Sequence, residues 1–248
     1  MDVLFPKMTY LVDEPVEFGL TVSNKDKITY KGLSYHTVLV KVLDSKGKAL
    51  PYTGWNFDFF SPTTEELKPG EENYHIISLT GNFGKHHPYS AMQFIPAGAY
   101  NLKIYLKPQG VITDSISIPF QVIEPSGDEL IVHNGYVDAI ENQSPEKRVE
   151  TLRHLADSYP NSIYLAPVLT LLRITWKISL DNEEKGLEIA DEMIEKCPGY
   201  REIFYFIPDK FKTLNSKSER LELLKRIQSD KKNILLRKQI ENLIKEEF

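Results

Sequence analysis

The chain has 248 residues, 41% hydrophobic and 26% charged, an ordinary globular composition that excludes disorder, collagen and coiled coil as overall descriptions and allows one large domain or two small ones. Thirty Lys and Arg against 35 Asp and Glu leave a net charge of -5, so no basic excess exists to neutralise a phosphate backbone and nucleic acid is not an expected partner. A single cysteine, Cys197, closes off internal disulfides and thiolate zinc sites, and no apolar run approaches the roughly 18 residues that begin to suggest a membrane span.

The chain changes character near Glu124. No arginine precedes that point and all 7 follow it, which predicts two domains, 1–124 and 125–248. In the first, apolar residues alternate with polar ones, as a half-buried strand requires when successive side chains point to opposite faces. Four runs carry this period: Val16, Phe18, Leu20 and Val22; Val38, Val40 and Val42; Tyr100, Leu102, Ile104 and Leu106; Ile116, Ile118, Phe120 and Val122. Weaker strands are predicted around 3–5, 50–52 and 74–79, with turns at Asp44-Ser45-Lys46-Gly47, Lys68-Pro69-Gly70 and Lys107-Pro108-Gln109-Gly110. Short strands at this spacing predict an antiparallel β-sandwich.

Three stretches carry a family resemblance. Tyr10-Leu11-Val12-Asp13-Glu14-Pro15-Val16 with Asn24, the loop Leu67-Lys68-Pro69-Gly70-Glu71, and Pro96-Ala97-Gly98-Ala99-Tyr100 resemble bacterial immunoglobulin-like domains of the macroglobulin or intracellular-proteinase-inhibitor type. The Gly-x-Tyr entry at Gly98 and Tyr100 is similar to a tyrosine corner, which implies a phenol hydroxyl tying its strand to a neighbouring loop.

After Glu124 the period becomes helical. Ser126-Gly127-Asp128-Glu129 reads as a capping box opening a helix over 128–141. Ser144 caps a second helix with Pro145 at its first position, and this helix stops before Tyr159-Pro160. A third carries Leu165, Leu169, Leu172 and Trp176, with Pro167 in its first turn or at a kink. Asp181 and Glu184 imitate another capping box before a helix that ends at Cys197-Pro198-Gly199. Helices over 200–214 and 216–228 and a last one from 231 complete the chain. The Pro-punctuated ends at Tyr159-Pro160 and Cys197-Pro198 recur 38 residues apart, and with Gly186 they resemble tetratricopeptide repeats. The resemblance implies three helix pairs plus a terminal helix, stacked so that each buries its apolar face on its neighbours. The expected fold is thus all-β followed by all-α: an immunoglobulin-like sandwich, then a tetratricopeptide-like helical repeat.

The residues that carry chemistry are sparse. His86 and His87, with His75, offer nitrogen ligands, but adjacent histidines on extended chain point apart and nothing completes a metal set, so a solvated contact loop is expected and no metal. Cys197 replaces a hydrophobe at a helix end, where packing is the expected role. Phosphate loops, nucleophile elbows, dinucleotide fingerprints and His-Glu-x-x-His helices are lacking, so no cofactor is expected. Acid pairs such as Glu65-Glu66, Glu71-Glu72 and Glu183-Glu184 sit at turns and helix starts, where solvent or the helix dipole favours them.

The expected activity is therefore non-catalytic: a protein- or peptide-binding, scaffolding molecule. The first helix of each pair carries Tyr136, Tyr164, Arg173 and Tyr205, residue types enriched in binding hot spots, and these are the candidate partner-binding residues. Trp55, His86 and His87 are candidate contacts in the sandwich loops. Two alternatives stand beside this reading: an accessory fragment of a larger secreted hydrolase or a proteinase-inhibitor-like module, and a carbohydrate-binding module using Trp55. A strand at 3–5 opens almost at the start of the chain, as in a mature domain freed from an export segment. With the sandwich resemblance this predicts an extracytoplasmic bacterial protein, periplasmic or secreted, the cytoplasm staying open.

Overall fold

A computed structural model of the chain describes residues 1–27, 29–31, 38–52, 66–80, 82–86, 93–106, 112–141, 144–230 and 233–248. The chain divides into two compact units, Met1–Glu124 and Pro125–Phe248. The first consists of strands and the second of helices.

In the first unit, β1 (Asp2–Leu4), β3 (Glu17–Ser23) and β7 (Glu72–Ser78) form a three-stranded sheet in the order β1-β3-β7. A four-stranded sheet has the order β2-β11-β10-β5, from β2 (Thr9–Leu11), β5 (Val38–Asp44), β10 (Gly98–Leu106) and β11 (Asp114–Ile123). The four alternating runs of the sequence form β3, β5, β10 and β11. Leu102 lies opposite Ile118 on one side and Val42 on the other, and Leu102, Ile104, Val42, Phe18 and Leu20 are fully buried in one core to which both sheets contribute. Each such side chain contributes roughly 1.5–3 kcal/mol by leaving water. Short pairs β4 (Tyr30–Lys31) with β6 (Glu66–Leu67), and β8 (Lys85–His86) with β9 (Gln93–Phe94), complete the described strands.

Purely antiparallel pairing is corrected at β2, which runs parallel to β11 with Tyr10 opposite Val122. The chain leaves β1 in one sheet and enters β2 in the other, arriving beside the last strand in the same direction. Phe5, between them, packs its ring 5.8 Å from Tyr10 and 5.7 Å from Phe120, which anchors the crossing in the core. Among the described residues the 50–52 segment forms one isolated bridge, Tyr52 with Phe83, just after a bridge of Ala49 with Leu43.

The motifs that suggested a family have local causes. Lys68, Pro69, Gly70 and Glu71 make a tight turn closed by the Glu71 N–H donating to the Lys68 carbonyl at 3.0 Å. Gly70 takes φ +81°, as the third residue of a type II turn must. Asn24 is 3% exposed, and its Nδ2 donates to the Leu67 carbonyl at 2.7 Å while its own carbonyl accepts from the Gly70 N–H. The Tyr100 hydroxyl donates to the Pro96 carbonyl at 2.7 Å, with Gly98 leaving room for the ring: a Cβ there would stand 3.1 Å from the phenol oxygen.

The second unit holds α1 (Asp128–Glu141), α2 (Pro145–Ser158), α3 (Leu165–Ile174), α4 (Glu183–Lys196), α5 (Ile203–Thr213), α6 (Lys217–Ser229) and α7 (Leu236–Glu247). None is long and apolar enough to cross a membrane. Ser144 caps α2 through the Lys147 N–H, with Pro145 in the first turn. Two predicted caps are corrected. Glu129 turns away from Ser126, its carboxylate accepting from Ser162 Oγ at 2.7 Å and the Ile163 N–H at 3.1 Å, and so fastens the start of α1 to the turn before α3. Asn182, rather than Asp181, caps α4 by accepting from the Lys185 N–H; Asp181 precedes it at φ +49°. The capping box with both halves made belongs to α6, between Ser216 and Glu219.

The helices also fail to repeat one pattern. Pro167 sits in the first turn of α3, whose C-terminal end widens into a π-helical turn over Thr175–Ser179. Pro208 lies inside α5, and α5 and α7 begin three and five residues later than predicted.

Candidate functional site

A cleft of about 480 Å³ opens in the second unit where α4, the end of α5 and α6 meet. Helix α4 turns Gly186, Ile189, Ala190, Met193 and Ile194 inward. That periodicity leaves Asp191 and Glu195, one turn apart, exposed on its outer face. Helix α5 supplies Lys210 from its last turn and Leu214 from its C-cap, where the backbone becomes extended. Glu219, Glu222, Leu223 and Arg226 line the cleft from α6, between its first turn and its last.

Its charges are unequally engaged. Lys210 Nζ lies 2.8 Å from Asp191 and links α5 to α4. Glu219 is spent on the cap, accepting from the Asn215 and Ser216 N–H groups at 2.8 and 3.0 Å. Glu195, Glu222 and Arg226 are exposed and have no ion-pair partner among the described residues. Leu223, 8% exposed, and the half-buried Leu214 give the cleft its apolar surface.

A cluster beside the cleft fixes the orientation of α5. Asp209, the residue before Lys210, accepts from Arg173 Nη2 at 2.8 Å, Lys177 Nζ at 3.0 Å and Lys212 Nζ at 2.8 Å. The hydrogen bonds from Lys212 and Lys177 hold its carboxyl down to about 2. Arg173 also lies over the Phe206 ring, its guanidinium carbon 4.1 Å from the centroid, and burial draws its pKa below the ordinary arginine value despite Asp209. The π-helical turn brings Lys177 to the same carboxylate oxygen as Arg173. Within that turn Thr175 is completely buried and donates its hydroxyl proton to the Leu171 carbonyl at 2.8 Å.

The residues singled out from the sequence do not converge on the cleft. Tyr164 is corrected as a surface contact: it is completely buried at the entrance to α3, its ring 5.3 Å from that of His133 on α1. Arg173 is committed to Asp209 and Phe206, so it positions α5 and offers little of itself to a partner. Tyr136 is half-buried on α1. Tyr205 lies in α5, with its side chain outside the description, and His86 lies in β8 on the same terms; Trp55 and His87 fall outside the described residues. Among the described residues no three of His, Cys, Asp and Glu gather as a metal site.

The cleft escaped the sequence because its lining consists of charges on amphipathic helices, which read as solvated faces. The available signal was the i, i+4 spacing of Asp191 and Glu195 together with Glu219, Glu222 and Arg226 on one face of α6.

No family model matches the chain, and no curated protein matches it. Among solved structures it is similar to the crystal structure of Spo0M, a sporulation control protein from Bacillus subtilis, with 16% identity and a TM-score of 0.29. That match covers 57% of this chain and 54% of the other, so the chain matches about half of that structure's length. A likeness of this degree carries no argument about fold or role. The immunoglobulin-like and tetratricopeptide-like kinship read from the sequence is corrected: no model of either family matches the chain. The motifs behind that reading are short, and turn, corner and helix-end chemistry alone accounts for them.

Proposed function

We propose that this protein is a non-catalytic binder of polypeptides and that the cleft between α4, α5 and α6 is where a partner segment docks. The observation that supports this is the lining: an apolar patch of Leu214 and Leu223 surrounded by charges of both signs, in an opening of about 480 Å³. This matches the general form of a recognition site, in which apolar surface supplies affinity and a few polar groups fix orientation. Asp191 is held by Lys210 and Glu219 by the cap, which leaves the exposed Glu195 and Glu222 to orient a ligand. Selection from a displayed random-peptide library on the full chain tests the proposal. Binders are expected whose capture is lost in Leu214→Asp while thermal stability holds. Selected peptides that bind Leu214→Asp equally well would overturn it.

A further inference from the structure

The charge of the cleft says what kind of segment it takes, an inference that rests on the binding reading above. The lining holds four carboxylates and two cations; one cation, Lys210, is already held by Asp191 at 2.8 Å, and the other, Arg226, is exposed on α6 one turn after Glu222. Glu195 on α4 and Glu222 on α6 are exposed carboxylates on two different helices, neither with an ion-pair partner among the described residues. Glu222 and Leu223 both line the cleft from α6, so it offers charge and apolar surface together. Leaving Glu195 unanswered costs little while it faces water, and a cation brought in by a ligand gains a carboxylate from each helix.

We infer that the cleft seats a cationic segment of a partner polypeptide, one presenting Lys or Arg beside an aliphatic side chain. The aliphatic group covers Leu214 and Leu223, and the cation lies between Glu195 and Glu222. Acidic segments are disfavoured because they would meet the same two carboxylates, with Arg226 the single lining cation that has no ion-pair partner among the described residues.

Fluorescence anisotropy on the full chain tests this with labelled peptides that alternate Leu with Lys, Gln or Glu. The Lys peptide is expected to bind tightest, to weaken with added NaCl, and to lose about tenfold in affinity, some 1.4 kcal/mol, in Glu195→Gln/Glu222→Gln. Glu195→Lys/Glu222→Lys is expected to reverse the order in favour of the Glu peptide. Equal binding of all three peptides, abolished by Leu214→Asp, would overturn the cationic preference and leave the docking site standing. Binding of the Lys peptide that both double variants leave unchanged would overturn the inference, and binding of no peptide would do the same.

Discussion

Arg153 on α2 faces Glu192 on α4 through two parallel hydrogen bonds, Nη1 to Oε1 at 3.0 Å and Nη2 to Oε2 at 2.9 Å. The pair ties together two helices that both pack on α3. Burial alone would raise the Glu192 carboxyl, but the bonds from Arg153 and Lys196 bring it below the ordinary carboxylate range. A double-mutant cycle with Arg153→Ala and Glu192→Gln is expected to give a coupling of about 0.5–1 kcal/mol in urea denaturation, the scale of a well-formed but partly solvated ion pair. Arg153→Lys should recover less than half of it, because an ammonium cannot make the two-pronged contact.

Tyr164 is the residue whose role departs most from its sequence reading. Its ring is fully enclosed, so Tyr164→Ala is expected to cost about 3–5 kcal/mol of stability, as other large-to-small changes in cores do. Tyr136→Ala, at a half-buried site, should cost clearly less. Chemical denaturation of the two variants checks the order.

The Asp209 cluster predicts an acid-sensitive joint in the helical half. Its carboxyl titrates near 2 when folded, against 3.8 for the ordinary group. The stability it supplies is therefore fully present above about pH 4 and is lost as pH falls toward 2. Asp209→Asn removes that contribution: the variant should be less stable than the parent at pH 6, with the gap narrowing between pH 4 and 2. Helix melting followed by circular dichroism over this range measures it, and a gap independent of pH would show that the three cations do not set its stability.

Each half carries a core made of its own residues, from Tyr10 to Val122 in the sheets and from Val132 to Ile240 in the helices. Fragments 1–124 and 125–248 are therefore each expected to fold and to melt cooperatively when expressed separately. Fragments that stay unfolded while the full chain is stable would show that the halves depend on one another.

Much of the architecture was legible because it rests on period. Val38, Val40 and Val42 alternate with Leu39 and Lys41, and this places β5 without knowledge of its partners. The apolar spacing and Ser144-Pro145 place α2 equally well. What period does not carry was missed. The parallel seat of β2 depends on the crossing at Phe5, a tertiary event. The cap of α4 passed from Asp181 to Asn182 because either side chain is chemically suited and only the backbone angles decide. Tyr164 and Arg173 look like surface anchors in sequence, since tyrosine and arginine mark hot spots; the burial of one and the commitment of the other to Asp209 depend on neighbours on α1 and α5. The cleft consists of residues that are unremarkable singly, and their proximity arises only from the packing of α4 against α5 and the turn into α6.

Hydrogen–deuterium exchange of the full chain, with and without a saturating peptide from the display selection, tests the central claim most directly. Protection is expected in α4, the C-terminal end of α5 and the first turns of α6, centred on Asp191, Leu214 and Leu223, with the exchange of residues 1–124 unchanged. Protection confined to the strands, or to α1 and α2, would contradict the assignment of the cleft as the place where a partner is held.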